Sequence, residues 1–354
     1  MRYRFSLRPR RDTRMTATRQ CLRLSFASML AFHSDAHSLS LPPGHPFPQS
    51  KYRLLREHFE AQPGGLRMQA AAAATEGELA LVHTPSYVEA VLQGRLSAAE
   101  QREIGFPWSP TMAARSCHSV GASIAAARAA LAEGVAVNMA GGTHHAYADR
   151  GSGYCVFNDV AVAARLMQAE WRRSRRDDLQ VLVIDLDVHR GNGTAAIFQG
   201  DDSVFTFSMH GAKNFPFRKE ASDVDVALAD GCGDDDYLAA LDTAMQQIWT
   251  HYGAQLPGLV FYLAGADPHE NDRLGRLKLS TAGLLARDCK VLDALRLRGI
   301  AAALSMAGGY GRELSSTLAV QVNTLNEAAR SWARWQAGSP GRPGDWPAME
   351  QCRP

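Results

Sequence analysis

The feature that most constrains the fold is a set of five short apolar runs, each of which ends in glycines or polar residues. The runs cover residues 135–140, 181–186, 203–209, 259–265 and 300–308. Helical patterns precede or separate most of them, over residues 118–134, 158–176, 234–252 and 280–298. Apolar strands that alternate with helices are typical of a parallel sheet covered by helices on both faces. We therefore predict an α/β fold with a mainly parallel central sheet.

The polar residues that follow the runs are of the kinds that bind ligands and transfer protons. In a parallel sheet the C-terminal strand ends share one edge, and ligands bind there. One such cluster could arise by chance, but five clusters that all follow the C-terminal end of an apolar run predict a functional site. The side chains that we expect to meet at this edge are His144, His145, Asp185, Asp187, His189, His210, Asp267 and Tyr310.

A metal site is predicted from Asp187, His189 and Asp267. Side chains two residues apart on an extended chain point to the same side, so Asp187 and His189 can share a ligand. Asp267 ends another strand and can supply a third ligand, which leaves a fourth position open as in catalytic zinc sites. The alternative for the Asp-x-His pair alone is a capped strand end with Asp187 in a turn.

Proton-transfer chemistry is predicted for the tandem histidines His144 and His145, because a general base needs an imidazole tuned by a hydrogen-bonded partner. Asp185 and Asn192 are the candidates for orienting the two rings. Tyr310 lies among glycines and could donate a hydrogen bond to a developing oxyanion. The alternative is that Tyr310 is a packed core aromatic.

Composition excludes several classes of function. The chain has 354 residues, 46% of them hydrophobic, and a formal charge of +2, which argues for one large α/β domain or two smaller ones and against direct nucleic-acid binding. It contains no apolar run long enough to span a bilayer, so we expect no membrane partner. The six scattered cysteines include no Cys-x-x-Cys pair, which indicates reduced thiols and a cytoplasmic location.

Both ends of the chain differ from its middle. Residues 1–28 contain eight arginines and one acid, and without them the formal charge falls from +2 to −5. We expect a basic, disordered extension or a translation start at Met29; a targeting peptide and a nucleic-acid arm are the alternatives. Residues 337–354, rich in proline and glycine, are predicted to be a flexible tail. This leaves residues 29–336 as a single catalytic domain.

Five segments, in the same order along the chain, resemble the zinc-dependent histone deacetylase family of the arginase/deacetylase superfamily. They are GGTHHAYADRGSGYCVFNDVAVAA, VLVIDLDVHRGNG, SMHG, LAGADPHENDRLGRLKLS and AGGYG. The similarity extends from about Phe32 to Ala333 and is nearest to the class IV branch and its bacterial relatives. GADPHENDRLG and the early LPPGHPFPQSKY favour that branch.

This resemblance implies a three-layer α/β/α sandwich with about eight strands in its sheet. It also implies roles for individual residues. Asp187, His189 and Asp267 match the zinc ligands, and Tyr310 matches the oxyanion tyrosine. The tandem histidines are His144, oriented by Asp185, and His145, with Asn192 as its partner. The narrow substrate tunnel would be lined by Gly153, Tyr154 and Phe215. A structural monovalent cation, such as K⁺, would bind Asp185, Asp187, His189, Ser208 and the carbonyl of Met209.

The implied reaction is zinc-dependent hydrolysis of an N-acyl amide, with N-acetyl the expected acyl group, on lysine or a lysine-like amine. Alternatives within the family are a long-chain acyl-lysine deacylase and an acetylpolyamine amidohydrolase. Outside it, we consider a catalytically weak binding protein that keeps the fold and a binuclear Mn²⁺ ureohydrolase. Arg190 departs from the family pattern at the position after the metal histidine. For the family's rim carboxylate, Glu103 is the one acid that this region of the sequence offers.

Overall fold

The structure, a computed structural model, describes residues 28–62, 64–175 and 177–338. The basic extension predicted for residues 1–28 lies outside the described residues except for Ser28. Of the predicted tail, only residues 337 and 338 are described.

A single eight-stranded sheet forms the middle of the molecule, and all its strand pairs are parallel. Its strands are β1 (Met29–His33), β2 (Leu66–Ala70), β3 (Val135–Asn138), β4 (Val181–Asp185), β5 (Val204–Gly211), β6 (Val224–Leu228), β7 (Leu259–Leu263) and β8 (Ala301–Ser305). Their order across the sheet is β2-β1-β3-β8-β7-β4-β5-β6. The five strands expected from the sequence are therefore neighbours and occupy the centre of the sheet.

Helices cover both faces of the sheet. They are α1 (Ser50–Glu60), α2 (Glu76–Leu79), α3 (Pro85–Leu92), α4 (Ala98–Ile104), α5 (Pro110–Glu133), α6 (Asp159–Arg175), α7 (Asn192–Phe198), α8 (Asp234–Tyr252), α9 (Thr281–Leu297) and α10 (Leu314–Gln336). Side chains of α2 to α7 pack into one core, and those of α1 and α8 to α10 pack into the other. This is the predicted three-layer α/β/α sandwich.

Strand β4 illustrates how the sequence builds this arrangement. Its side chains alternate between the two cores, with Val181 and Val183 in one and Leu182 and Ile184 in the other. All five residues of the strand are buried. Because both faces are covered, the strand has to be apolar throughout until it reaches the functional edge.

The sequence-based element bounds hold to within one or two residues for α6, α8 and α9. Helix α5 begins well before the predicted residue 118. There Ser109 accepts a hydrogen bond from the backbone N–H of Met112, and Pro110 occupies the first helical position. Strands β1, β2 and β6 were not predicted. They lie toward the two ends of the sheet, and β2 and β6 carry partly exposed side chains that interrupt an apolar run.

No helix in the described part of the chain is both long and apolar enough to cross a membrane.

Candidate active site and metal centre

The C-terminal ends of β4 and β7 bring Asp187, His189 and Asp267 together. Nδ1 of His189 lies 2.9 Å from Oδ1 of Asp187 and 3.2 Å from Oδ2 of Asp267. The three ligand atoms lie within 4.8 Å of one another, and all three residues are buried. Within the described residues, this is the one group of three or more histidine, cysteine or acidic side chains with such geometry.

The surroundings of these three residues fit a bound cation. Oδ2 of Asp267 is buried and, apart from the His189 ring 3.2 Å away, meets no hydrogen-bond partner among the described residues, whereas its Oδ1 accepts the backbone N–H of Val188. A Cβ atom at Gly308 would lie 1.8 Å from the same Oδ2, so only glycine leaves this space open. Burial, and next the charge of Asp187, raise the pKa of Asp267 above its usual range. A divalent cation would relieve this concentration of buried negative charge.

The tandem histidines sit beside this cluster in different electrostatic states. Nδ1 of His144 lies 2.6 Å from Oδ2 of Asp185, as predicted. Although burial opposes it, the charges of Asp185 and Asp187 raise the pKa of His144 to about 9. Burial, and then the neighbouring His144 and His189, hold the pKa of His145 well below its usual range. The surroundings of the first ring therefore favour its protonated form, and those of the second favour its neutral form.

The predicted pairing of Asn192 with His145 is not found. The Asn192 side chain donates to the carbonyl of Arg218 at 2.7 Å and accepts the N–H of Glu220 at 3.0 Å. Nδ1 of His145 is buried without a hydrogen-bond partner among the described residues. Asn192 begins helix α7, so its amide reaches the facing backbone of the loop before β6. It ties that loop to the metal-binding segment.

The backbone around Tyr310 is held from three directions. Gly308 N–H donates to Oδ2 of Asp187 at 2.7 Å, and Tyr310 N–H donates to Oδ2 of Asp272 at 2.6 Å. Nζ of the buried Lys51 donates to the carbonyls of Ala307 at 3.2 Å and Gly309 at 3.4 Å. Lys51 and Asp272 lie in segments quoted for the family resemblance, but the sequence offered no sign of their partners.

One cavity joins these residues to the predicted tunnel. It is lined by Asp187, His189, His144, His145 and Tyr310, together with Gly153 and Tyr154. The ring of Phe215 packs edge-on against His145 at 5.1 Å between centroids, and the ring centroids of Tyr154 and Tyr310 are 5.9 Å apart.

The backbone of the tunnel wall is adapted to close packing. Gly153 has φ +54°, and a Cβ there would lie 2.6 Å from the His145 ring. Tyr154 is also at positive φ, +67°, a conformation that is costly for an aromatic residue and typical of functional sites.

Arg190, whose role the sequence left open, faces away from the metal cluster. Its guanidinium donates to the carbonyl of Glu220 at 2.9 Å and to Ser222 at 2.7 Å, and pairs with Asp225 at 2.6 Å. Its backbone N–H donates to the carbonyl of Phe215 at 3.2 Å. Arg190 thus fastens the loop that carries Phe215 to the segment that carries the candidate metal ligands.

The remaining predicted residues lie close to the site. Asp185 and Ser208 are register partners on β4 and β5, and Met209 follows, fully buried. Nδ1 of His210 lies 3.0 Å from the Ser208 hydroxyl, and burial lowers the pKa of His210 to about 3.

The carbonyl of Glu103 accepts the N–H of Gly153, so this residue does lie near the tunnel wall.

The family model described as "Histone deacetylase domain" matches residues 45–325. An uncharacterized protein of Picosynechococcus sp. (strain PCC 7002) is 40% identical over 305 residues, covering 85% of this chain and 98% of that protein. Histone deacetylase 2 of Arabidopsis thaliana is 30% identical over 294 residues, covering 80% and 74%. The acetoin utilization protein AcuC of Bacillus subtilis is 29% identical over 226 residues, covering 58% and 56%.

Solved structures support the fold. The crystal structure of the HDA15 HD domain superimposes with a TM-score of 0.71 at 22% identity, covering 88% of this chain and 92% of that one. A histone deacetylase homologue from Aquifex aeolicus gives a TM-score of 0.71 at 22% identity, with 88% and 89% covered. On the family match and the relatives together, the chain belongs to the histone deacetylase family and is a deacetylase-type hydrolase of amide bonds.

Proposed function

We propose that this protein hydrolyses an N-acyl amide on lysine or a lysine-like amine, with one zinc ion per chain. The observation that carries the proposal is the cavity lined by His145 and Tyr310 together with Asp187 and His189, which cluster with the buried Asp267. A nitrogen ligand with two carboxylates suits zinc, and a fourth position remains for the substrate. Zinc in this position supplies electrophilic polarisation of the acyl carbonyl and lowers the pKa of water.

His145 is the general base in this proposal. Its ring is neutral at physiological pH because burial and two neighbouring histidines depress its pKa. It takes a proton from the attacking water and delivers one to the amine nitrogen as the carbon–nitrogen bond breaks. The products are a carboxylate and a free amine. His144 is fixed by its contact with Asp185 and orients the attacking water. Its positive charge balances the nearby negative charges of Asp185 and Asp187.

Tyr310 stabilises the developing oxyanion. Its ring lies 6.5 Å from that of His189 between centroids, and its residue is 8% exposed, inside the cavity. A hydroxyl donor in a buried site can stabilise oxyanion charge by a few kcal/mol. The flanking glycines bring the main chain close to the candidate metal ligands, as the contact of Gly308 with Asp187 illustrates.

The tunnel favours an unbranched amine such as lysine. Tyr154 and Gly153 line the cavity, Phe215 packs against His145 beside it, and a Cβ at Gly153 would meet both His145 and Phe215. A flexible methylene chain packs well between aromatic rings and places its terminal amide at His145. The partner would be an acyl-lysine protein or a small acylated amine such as an acylpolyamine, with no direct role for nucleic acid.

A monovalent cation is part of the proposal. Asp185 at the end of β4 lies beside Ser208 of β5, with Met209 next along that strand, so their oxygen atoms come close to the proposed zinc ligands. Oxygen donors of this kind suit K⁺, whose charge would partly offset that of Asp185. Titration with KCl against NaCl at constant ionic strength would test for a K⁺-dependent change in activity and unfolding temperature.

The test of the function is a metal assay combined with a substrate panel. We expect one zinc per chain and release of carboxylate from acyl-lysine peptides or acylpolyamines. Tyr310→Phe should lower kcat by roughly 10²- to 10³-fold while zinc binding is retained. His145→Ala should lower it at least as strongly. Unchanged hydrolysis in both variants would show that the assigned chemistry is wrong, and Tyr147→Phe, outside the cavity lining, serves as the control.

A further inference from the structure

One wall of the active-site cavity is formed by a face of helix α5. Arg115, Ser116 and Ser119 line the same cavity as His145 and Tyr310. Residues three or four apart lie on one face of a helix, so these three polar side chains share the face turned to the cavity. All three are partly exposed, although the helix around them is largely buried.

Arg115 is held there by aromatic rings. Its Cζ lies 4.5 Å from the ring centroid of Tyr52 and 5.8 Å from that of Phe47. The ring of Phe47 is in turn 6.4 Å from that of Tyr310. The guanidinium is therefore two ring contacts from the tyrosine at the reacting centre. A guanidinium stacked on a ring keeps its N–H donors free in its own plane.

The charge of Arg115 is not balanced by an acid. Among the described residues, no carboxylate forms an ion pair with its guanidinium. A second basic residue, Lys51, lies on the same tyrosine, with its Nζ 5.0 Å from the Tyr52 centroid, and it donates only to backbone carbonyls. The cavity is therefore lined by an acid, Asp187, at the candidate metal site and by a basic side chain, Arg115, on α5.

We propose that Arg115 binds a carboxylate at the far end of the substrate's acyl group. This inference rests on the proposed function, since it requires the acyl carbonyl to lie at His145 and Tyr310. The acyl chain would then extend past Phe47 toward α5, where the planar guanidinium can bind a carboxylate through two hydrogen bonds. The substrate class is a lysine or amine acylated with a dicarboxylic acid, such as a succinyl or glutaryl group.

The test compares acyl groups of equal length that differ in the terminal charge. The zinc-loaded full chain is assayed on glutaryl-lysine and pentanoyl-lysine versions of one peptide, and on the acetyl-lysine version. We expect the wild type to prefer glutaryl over pentanoyl. In Arg115→Met the ratio of the two kcat/KM values should fall by roughly ten- to a hundredfold, and Arg115→Lys should restore part of it. Arg102→Gln, an exposed arginine on α4, should leave the ratio unchanged.

A binding measurement separates this inference from the proposed function. Free glutarate is titrated into the wild type and Arg115→Met, both zinc-loaded, by calorimetry, with thermal unfolding to verify that the variant is folded. Weaker binding to the variant supports the inference even if none of the peptides is hydrolysed. The inference would be overturned if the wild type and Arg115→Met bound glutarate equally well. It would also be overturned by a wild-type preference for pentanoyl-lysine or by an equal loss of activity on all three peptides. Failure to hydrolyse any acyl substrate would instead count against the proposed function.

Discussion

The backbone N–H of Tyr310 donates a hydrogen bond to Oδ2 of Asp272 at 2.6 Å, while Oδ1 of the same carboxylate accepts the N–H groups of Leu274 and Gly275. Asp272 is 5% exposed and follows the candidate ligand Asp267 by five residues. One carboxylate therefore joins the loop that carries the candidate metal ligand Asp267 to the backbone of Tyr310, the proposed oxyanion donor. We infer that Asp272 positions Tyr310.

Asp272→Asn is expected to lower kcat by roughly tenfold or more and to change KM little, because one acceptor oxygen is replaced by an amide donor. The tyrosine would then shift relative to its place in the transition state. The measurement is steady-state kinetics on an acyl-lysine peptide, with zinc content determined in parallel. Glu270→Gln, on the exposed side of the same loop, is the control. An equal loss in both variants, or loss of zinc in Asp272→Asn, would contradict a positioning role.

Zinc should stabilise the fold through the three buried ligands. At free zinc roughly a thousandfold above its Kd, the free energy of unfolding should rise by about 4 kcal/mol. Asp267→Asn should abolish this gain, because it removes a ligand charge. In the metal-free protein the same variant should be at least as stable as the wild type, since it relieves repulsion with Asp187.

Urea unfolding with and without a chelator measures both effects, and Asp235→Asn on the exposed side of α8 is the control. A full zinc-dependent gain in Asp267→Asn would remove this residue from the ligand set.

Arg190→Met should loosen the loop that carries Phe215. The variant loses the bonds to Glu220 and Ser222 and leaves Asp225 without its partner, which should cost about 2 kcal/mol of unfolding free energy. We expect KM for acyl-lysine peptides to rise more than kcat falls, because the tunnel wall moves while the metal ligands stay. Arg173→Met on the exposed face of α6 is the comparison. A purely kcat effect would indicate that Arg190 acts on the reacting groups instead.

Acid should destabilise the protein partly through His83. This buried ring accepts the N–H of Asn158 at Nε2, and burial lowers its pKa from 6.5 to about 4. Between these two pKa values the unfolded chain binds a proton that the folded protein does not. The stabilisation is therefore complete above pH 6.5 and is lost as the pH falls toward 4, by up to about 3 kcal/mol.

The measurement for His83 is the free energy of urea unfolding across this pH window. His83→Gln should flatten the dependence, whereas replacement of the exposed His251 should not. An unchanged slope in His83→Gln would assign the acid sensitivity to other groups.

The parts of the fold that could be predicted are those where burial is uniform. β4 and β7 are buried on both faces, so an unbroken apolar run marked each of them. β6 alternates buried and exposed residues around Asp225, and β2 is half exposed, so neither produced such a run. The ligand cluster was predictable because each of its members ends one of the uniformly buried strands.

Contacts between distant segments escaped prediction. Lys51 meets Ala307 across 256 residues of chain, and Arg115 reaches the cavity only because α5 packs on the sheet against β3 and β8. Asn192 was expected to pair with His145, yet it bonds a loop 26 and 28 residues away. Sequence spacing says nothing about which of several nearby acceptors a side chain will reach.

By itself, the sequence determined the α/β class, the central strands and the family, and it indicated the candidate residues for metal and proton chemistry, because hydrophobic periodicity and strand-end polarity are local properties. Only the tertiary structure decided which charged and titratable groups lie close enough to interact. It favoured the protonated form of His144 and the neutral form of His145, turned Arg190 away from the candidate metal ligands, and placed Arg115 at the cavity with no acid paired to it among the described residues. The reason is physical, since pKa values and hydrogen bonds depend on burial and on the distance to groups that the chain brings together only when it folds.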